Sequence, residues 1–458
     1  MRISVMMITM LLFGVVAGYE IGIFPTITNN LMTTFNFTIK TLSWAAAILP
    51  LAAAVAAVVS GWMADRFGRR IVLQLAVILF LFGIFETAIA ESVAEFILGR
   101  ALLGLAIGTI AVNVPLYLVE LSPAQKRGQW MATFFVSFNV GVFLACLMGA
   151  VFSFHHHWRV VLILAALPVF SLYFLCLSIP ESPRWLILNG RQGQASQVLI
   201  KYFGSKVAMS TINSMEAVHH RSIYQTTKLW SVSGARILLL GILINIFAQA
   251  LGIHAIVTYA TLLMERINVQ DHFIEISASI IIAVVFMLAA ILATRVMDKI
   301  PRRKLLLLGL TGMVTSLVMI AWSLHNVSDG DLMMLNVLFG CLLFIGCQGF
   351  CLAPMASLLP AELFPQSLRG VGMGISISAY WITNMIIVYA FQRMLTQYGA
   401  NLSFLVFLFF AVVAIVWCYF NVPETCQVPL EKLEKQFCEG SDGRRLDVDD
   451  SLSELGVV

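Results

Sequence analysis

Apolar residues in this chain come in long unbroken runs, separated by short polar joints. The runs do not alternate apolar with polar positions, which argues against spanning strands. Each is long enough to cross a bilayer, which takes about 20 residues of helix. The pattern predicts twelve spanning helices, near 5–34, 41–63, 71–90, 94–119, 128–151, 158–178, 233–264, 275–297, 304–325, 331–359, 370–396 and 400–421. An all-α membrane protein is therefore expected. The first 18 residues, with Arg2 ahead of an apolar stretch, read as part of the first span and not as a cleaved leader. Their removal would delete one of the twelve spans.

The polar joints repeat. Glu120, Pro123, Arg127 and Gly128 recur 242 residues later as Glu362, Pro365, Arg369 and Gly370. Asp65, Arg69 and Arg70 recur at an offset of 233 as Asp298, Arg302 and Arg303. Pro180-Glu181-Ser182 recurs at an offset of 243 as Pro423-Glu424-Thr425. Three marks in order at nearly one spacing predict two parallel, pseudo-symmetric six-helix bundles, an architecture suited to carrying a solute through the cleft between its halves. The expected organisation is an N-terminal bundle over 1–178, a linker over 179–232, a C-terminal bundle over 233–421 and a tail over 422–458. The linker is polar and suits short amphipathic helices. The tail suits a short helix at 430–437, and its charged, aromatic-free remainder predicts disorder.

Charge fixes the orientation. Of the 458 residues, 60% are hydrophobic and 11% charged, against about 25% charged in a soluble protein. Basic residues gather in alternate joints: Arg2, Arg66 to Arg70, Lys126 and Arg127, the 184–236 segment, Arg295 to Lys304, and Arg369. The opposite joints hold only Lys40, Arg159, Arg266 and Arg393. This asymmetry places both termini and the linker in the cytoplasm of a multi-pass cell-membrane protein. The net charge of +4 thus reflects topology, and no nucleic-acid partner is expected. A solute, protons and the bilayer are the expected partners of a monomer. Asn36 opens a glycosylation sequon on the outer side.

Of the eight cysteines, six lie in spans and two, Cys426 and Cys438, in the cytoplasm. None falls in an outer loop, so no disulfide is expected. Cys347 and Cys351 stand one turn apart without a neighbouring His or carboxylate, which reads as packing and not as metal ligation. The His155–His157 run reads as a solvated loop. No metal and no cofactor are expected.

Charges inside spans stand out. Glu20 sits within the first span and Arg100 within the fourth. Each costs roughly 3 kcal/mol on insertion scales, so each needs a partner and is a functional candidate. They are the natural pair of the N-terminal bundle. Glu86, near the outer end of the third span, reads as a snorkelling carboxylate.

Six motifs in order resemble the sugar porter family of the major facilitator superfamily, over essentially the whole chain. GYEIG at 18–22 is similar to the family's G-Y-D-x-G in the first helix. GWMADRFGRR at 61–70, GRALLG at 99–104, PLYLVELSPAQKRG at 115–128, PESPRW at 180–185 and VPETCQVPLEKLE at 422–434 complete the set. The resemblance implies the major facilitator fold. It also implies an inner latch that holds the outward-open state, formed by Asp65, Arg66, Arg69, Arg70, Glu120, Arg127, Glu181 and Arg184, with Asp298, Arg302, Glu362, Arg369 and Glu424 in the second half. A carboxylate in such a joint can bond free N–H groups at the start of a facing helix. Pro301 and Lys299 depart from the family's Gly and Arg.

In the resembled proton symporters an acidic first-helix residue faces an Arg like Arg100, and in animal uniporters that position is not acidic. Away from Arg100 a carboxylate in low dielectric takes up a proton; beside Arg100 it releases it. Glu20 and Arg100 are thus the implied proton-coupling pair. The implied solute site departs further. The seventh-helix Q-Q-L-S-G-I-N stands here as AQALGIH, keeping Gln249 but placing Ala248 and His254 where the family has Gln and Asn. Phe135, Phe286 and Ser357 replace a Gln, an Asn and a Trp; Tyr380 replaces an Asn, while Trp381 and Asn384 remain. With Tyr259, these residues imply a pocket with fewer amides and more aromatic surface. That suits a less hydroxylated ligand, or a sugar or cyclitol in another pose.

The leading reading is a secondary transporter, a proton symporter of a sugar or polyol-like solute. A facilitative uniporter, or a carrier of a non-sugar solute, is the alternative within transport; a nutrient sensor is a different class, which the short tail disfavours. No phosphate loop, H-E-x-x-H or G-x-S-x-G points to an enzyme.

Overall fold

The structure is a computed structural model, and it describes residues 2–35, 37, 39–153, 158–205, 232–257, 272–326, 331–430 and 432–433. Tyr259, Asn36, His155–His157, the linker from 206 to 231 and the tail beyond 433 lie outside the described residues. The described chain is helical, with twelve helices long and apolar enough to cross a membrane. It bears out the all-α membrane fold expected from the apolar runs.

The first half contains α1 (Arg2–Phe35), α2 (Ile39–Phe67), α3 (Arg69–Ile89), α4 (Val93–Leu121), α5 (Arg127–Ser153) and a sixth span split into α6 (Trp158–Leu164) and α7 (Ala166–Ser178). Two short helices follow, α8 (Pro183–Leu188) and α9 (Gln192–Phe203). The second half contains α10 (Val232–Ala250), α11 (His272–Val296), α12 (Arg302–Asn326), α13 (Asp331–Cys347), a π-helical turn at Gln348–Leu352, α14 (Ala353–Leu363) and α15 (Arg369–Asn421). α15 holds the last two spans, which meet at Gly399 with φ 78°.

Within the first half α1 packs along α5, and α4 packs against both α2 and α3. α1 and α5 approach to backbone contact, since a Cβ on Gly18 would lie 1.9 Å from the Phe138 carbonyl oxygen. Apolar side chains gain nothing by leaving lipid for each other, so close backbone approach at small residues is what binds these helices. The halves meet where α2 packs on α15 and α5 on α11.

Hydropathy ends the fourth span at 119, but the helix runs on to Leu121 and buries Glu120. The buried Arg69 guanidinium opposite supplies the charge that lets a carboxylate stay inside. The seventh span is also broken. α10 ends at Ala250, Gly252 holds φ 83°, and helix resumes at 253–257. A Cβ on Gly252 would sit 2.7 Å from the Phe407 ring, so glycine is required there by both space and conformation.

Candidate functional site

Three groups of polar side chains stand out in a largely apolar interior. The first is the ion pair. Arg100 Nη1 donates to Glu20 Oε1 at 2.7 Å, with Glu20 only 1% exposed and Arg100 5%. The second carboxylate oxygen and Arg100 Nε have no hydrogen-bond partner among the described residues. One strong hydrogen bond thus joins the pair. Next to it, the Tyr19 hydroxyl donates to the Val161 carbonyl at 2.8 Å and ties α1 to α6.

The second group gathers at the broken end of α10. Asn384 Nδ2 of α15 donates to Gln249 Oε1 at 3.2 Å, and Tyr380 also bonds the Gln249 side chain. Trp381 lies against the Tyr380 ring, at 5.3 Å between centroids. His254 follows the break directly and is half-buried. Phe135 sits in a row of α5 aromatics with Phe134 and Phe138. Phe286 of α11 packs on the π-turn, where a Cβ on Gly349 would meet its ring at 2.8 Å.

The third group closes one end of the molecule. Asp65, near the end of α2, accepts from Gly370 N and Val371 N at 3.2 and 3.0 Å, at the start of α15. Asp298, just beyond α11, accepts from Gly128 N and Gln129 N at 2.9 and 2.7 Å, at the start of α5. Each half thus offers a carboxylate to the free N–H groups and positive end of a helix in the other. Arg127 crosses as well, donating to Glu362 at 3.2 Å and to the Val428 carbonyl at 3.3 Å.

Bonds within each half brace these contacts. Arg69 donates to Glu120 at 2.8 Å and Asp65 at 3.2 Å, while Arg302 donates to Asp298 at 3.0 Å and lies 3.8 Å from Glu362. Glu181 accepts from the backbone of Arg69 at 2.9 Å, and Glu424 from that of Arg302 at 2.8 Å. Burial raises the Glu181 carboxyl above its ordinary value, against the pull of backbone donors from Ser182, Arg70 and Arg69. Arg184 Nε donates to the Glu120 carbonyl, and Arg369 Nε to that of Phe364. Arg66 stands outside the network, with its guanidinium over the Trp62 and Phe67 rings. Arg70 reaches back to the Leu177 carbonyl at 2.6 Å.

The two loops reach this arrangement differently. Gly68 holds φ 98°, which proline cannot adopt, yet Pro301 stands at the matching position. Asp298 still meets α5.

The family model described as "Sugar (and other) transporter" matches residues 6–437. The chain belongs to this family. Among its relatives is the putative metabolite transport protein YncC of Bacillus subtilis, 33% identical over 449 residues, covering 95% of each chain. The major myo-inositol transporter IolT of Bacillus subtilis is 30% identical, over 84% of this chain and 83% of its own. The arabinose-proton symporter of Escherichia coli is 28% identical, over 96% and 93%. In fold the chain is similar to the proton:xylose symporter XylE bound to 6-bromo-6-deoxy-D-glucose, with a TM-score of 0.87 at 22% identity, over 95% of this chain and 99% of that one.

Near the second group, this sugar transporter family member carries a further buried polar residue that its sequence did not single out. Gln348, only 4% exposed, starts the π-turn and donates from Nε2 to the Ala248 carbonyl at 3.1 Å. Its Oε1 and the Trp381 Nε1 donor have no partner among the described residues. An acceptor and a donor so buried cost about 1–3 kcal/mol each if unmet. The sequence signal available was a lone amide in an apolar run, beside the small residues Gly346 and Gly349. No group of His, Cys, Asp and Glu able to hold a metal ion occurs among the described residues.

Proposed function

We propose that this protein is a secondary transporter working by alternating access, which couples uptake of a sugar or polyol-like solute to a proton through Glu20 and Arg100. The observation that carries this reading is the 2.7 Å ion pair buried within the membrane span. A buried ion pair is weak support for stability, because desolvation offsets most of its Coulomb energy. A pair of one acid and one base inside a span suits a proton carrier better than a brace. In the cycle Glu20 takes a proton when it is separated from Arg100 and gives it up when the two meet. The names of the arabinose-proton symporter and the myo-inositol transporter support the solute class.

The solute site of this reading is the Gln249–Asn384–Tyr380 group with Trp381, His254 and Gln348, faced by Phe135 and Phe286. Tyr259, outside the described residues, belongs to the same proposal. The aromatic replacements favour a solute that offers a C–H face as well as hydroxyls. The network of Asp65, Asp298, Arg127 and Glu362 is the inner latch of this reading, supported by its bonds from each half to the other, which an outward-facing carrier requires at its inner end. The bundles are assigned to 1–178 and 233–421, with the linker and both termini in the cytoplasm of the cell membrane. Single cysteines at residues 155 and 215, in a background without native cysteines, should therefore label from opposite sides; labelling from one side would overturn the topology.

Reconstitution tests the function. Proteoliposomes with an alkaline lumen should concentrate at least one of labelled arabinose, galactose, xylose or myo-inositol. Collapsing the pH gradient should return that solute to equal concentrations. Uptake that reaches the same level with and without the gradient would make the protein a facilitative uniporter.

A further inference from the structure

We propose that Phe24 is a positioning residue for the proton-coupling pair, its ring face holding the Arg100 guanidinium beside Glu20 while the carboxyl carries its proton. The inference rests on the reading of Glu20 as the coupling group. Glu20 and Phe24 lie one turn apart on α1 and so present a carboxylate and a ring on one face. Arg100 enters from α4 between them. Its guanidinium carbon is 4.4 Å from the Phe24 ring centroid, while Nη1 is 2.7 Å from Glu20.

The ring matters when the ion pair is gone. Protonation of Glu20 removes the charge that compensates Arg100, and a lone cation in low dielectric is driven to find another partner. The long Arg side chain can swing toward water or headgroups. An aromatic face attracts a cation through its quadrupole, most strongly where water is excluded, and it neither titrates nor competes for the proton. Phe24 therefore keeps the counter-charge in place, so that the carboxyl meets it again as soon as release is favoured. Pro25, next in sequence, has no N–H to give to the Ile21 carbonyl, which removes one helical bond at this turn.

Among the described residues, the surrounding charged groups have other partners or stand elsewhere. On α1, Tyr19 is tied to the Val161 carbonyl. α5 has no Asp, Glu, Lys, Arg or His between Gly128 and Ser153, and offers only Cys146. On α6, Arg159 is held by the Ala90 carbonyl at 2.8 Å and the Trp158 ring; α7 brings Tyr173 and Cys176. At the start of α4, Glu95 is engaged with Glu91 N and Ser92 N. α3 adds the half-buried Glu86, and α2 has no charged residue between Thr41 and Ala64. Glu362 of α14 and Arg369 of α15 belong to the closed end. Among the described residues, the charged group that acts on Glu20 is Arg100.

Infrared difference titration of the purified full chain tests this without a solute. The carbonyl stretch of protonated Glu20 is assigned by its loss in Glu20→Gln. Phe24→Leu and Phe24→Met, which keep an apolar side chain but lose the ring, should move the midpoint of that band up by about half to one pH unit. The sign follows from Arg100 moving away while Glu20 is protonated, which stabilises the protonated state and makes ionisation bring the guanidinium back. Phe24→Tyr, which keeps the face, should retain the original midpoint. A band that titrates in the natural protein but is unmoved in the Leu or Met variant would overturn the role of Phe24, as would a Tyr variant shifted like Leu. If no Glu20 band titrates in the natural protein at all, the coupling reading itself falls.

Discussion

Gly61→Leu should hold the inner end of the carrier open and abolish net transport. Gly61 on α2 faces Gly370 on α15, and a Cβ there would lie 2.2 Å from the Gly370 carbonyl oxygen. The reverse approach is as close, with a Cβ on Gly370 2.4 Å from the Gly61 oxygen and one on Gly374 2.5 Å from that of Ala57. These are backbone atoms, so no side chain can swing aside to make room. Either the helices part or the bonds of Asp65 to Gly370 N and Val371 N are lost, and both outcomes open the same end. Overpacking of about 1–3 kcal/mol shifts a two-state balance roughly 5- to 150-fold, and direct backbone collision belongs at the upper end. In inside-out vesicles, a cysteine replacing Ser357 in a background without native cysteines should label with an impermeant reagent in the Gly61→Leu protein and stay protected otherwise. Equal labelling and undiminished uptake would show that α2 and α15 do not gate the inner side.

Much of this arrangement was legible in the sequence, for reasons specific to the bilayer. Twelve apolar runs have one cheap solution, because a spanning backbone must satisfy its own hydrogen bonds. The Glu20–Arg100 pair was legible because each charge is costly alone and the bundle offers each a single obvious partner. The repeat exposed the acids of the polar joints, and the expectation that a carboxylate would meet the free N–H groups of a facing helix corresponds to Asp65 on α15 and Asp298 on α5. Hydropathy missed what depends on contacts between distant segments. It ended the fourth span before Glu120, since it cannot see Arg69 opposite. It gave no sign that the Thr425 hydroxyl would donate to Glu362 at 2.6 Å or that the Val428 carbonyl would receive Arg127. Gln348 was invisible for the same reason. One amide in an apolar helix has no spacing signature, and its meaning comes from the π-turn and the Ala248 carbonyl it reaches.

Glu20→Gln should abolish accumulation against a gradient while leaving exchange of solute between equal compartments. The amide keeps the size of the carboxyl and can accept from Arg100 Nη1 as Glu20 does at 2.7 Å, but it carries no proton. On the proposed coupling, the variant thus mimics a permanently protonated carrier. Its accumulation ratio should fall to unity under an imposed pH gradient. Arg100→Ala should damage both modes, because without the guanidinium the buried carboxyl has no counter-charge to drive release. The most direct measurement is proton movement itself. When a transported solute is added to a lightly buffered suspension of de-energised cells, the medium should turn alkaline with the natural protein and remain unchanged with Glu20→Gln. Alkalinisation that persists in the Glu20→Gln cells would contradict Glu20 as the coupling site, and its absence in both would contradict proton symport.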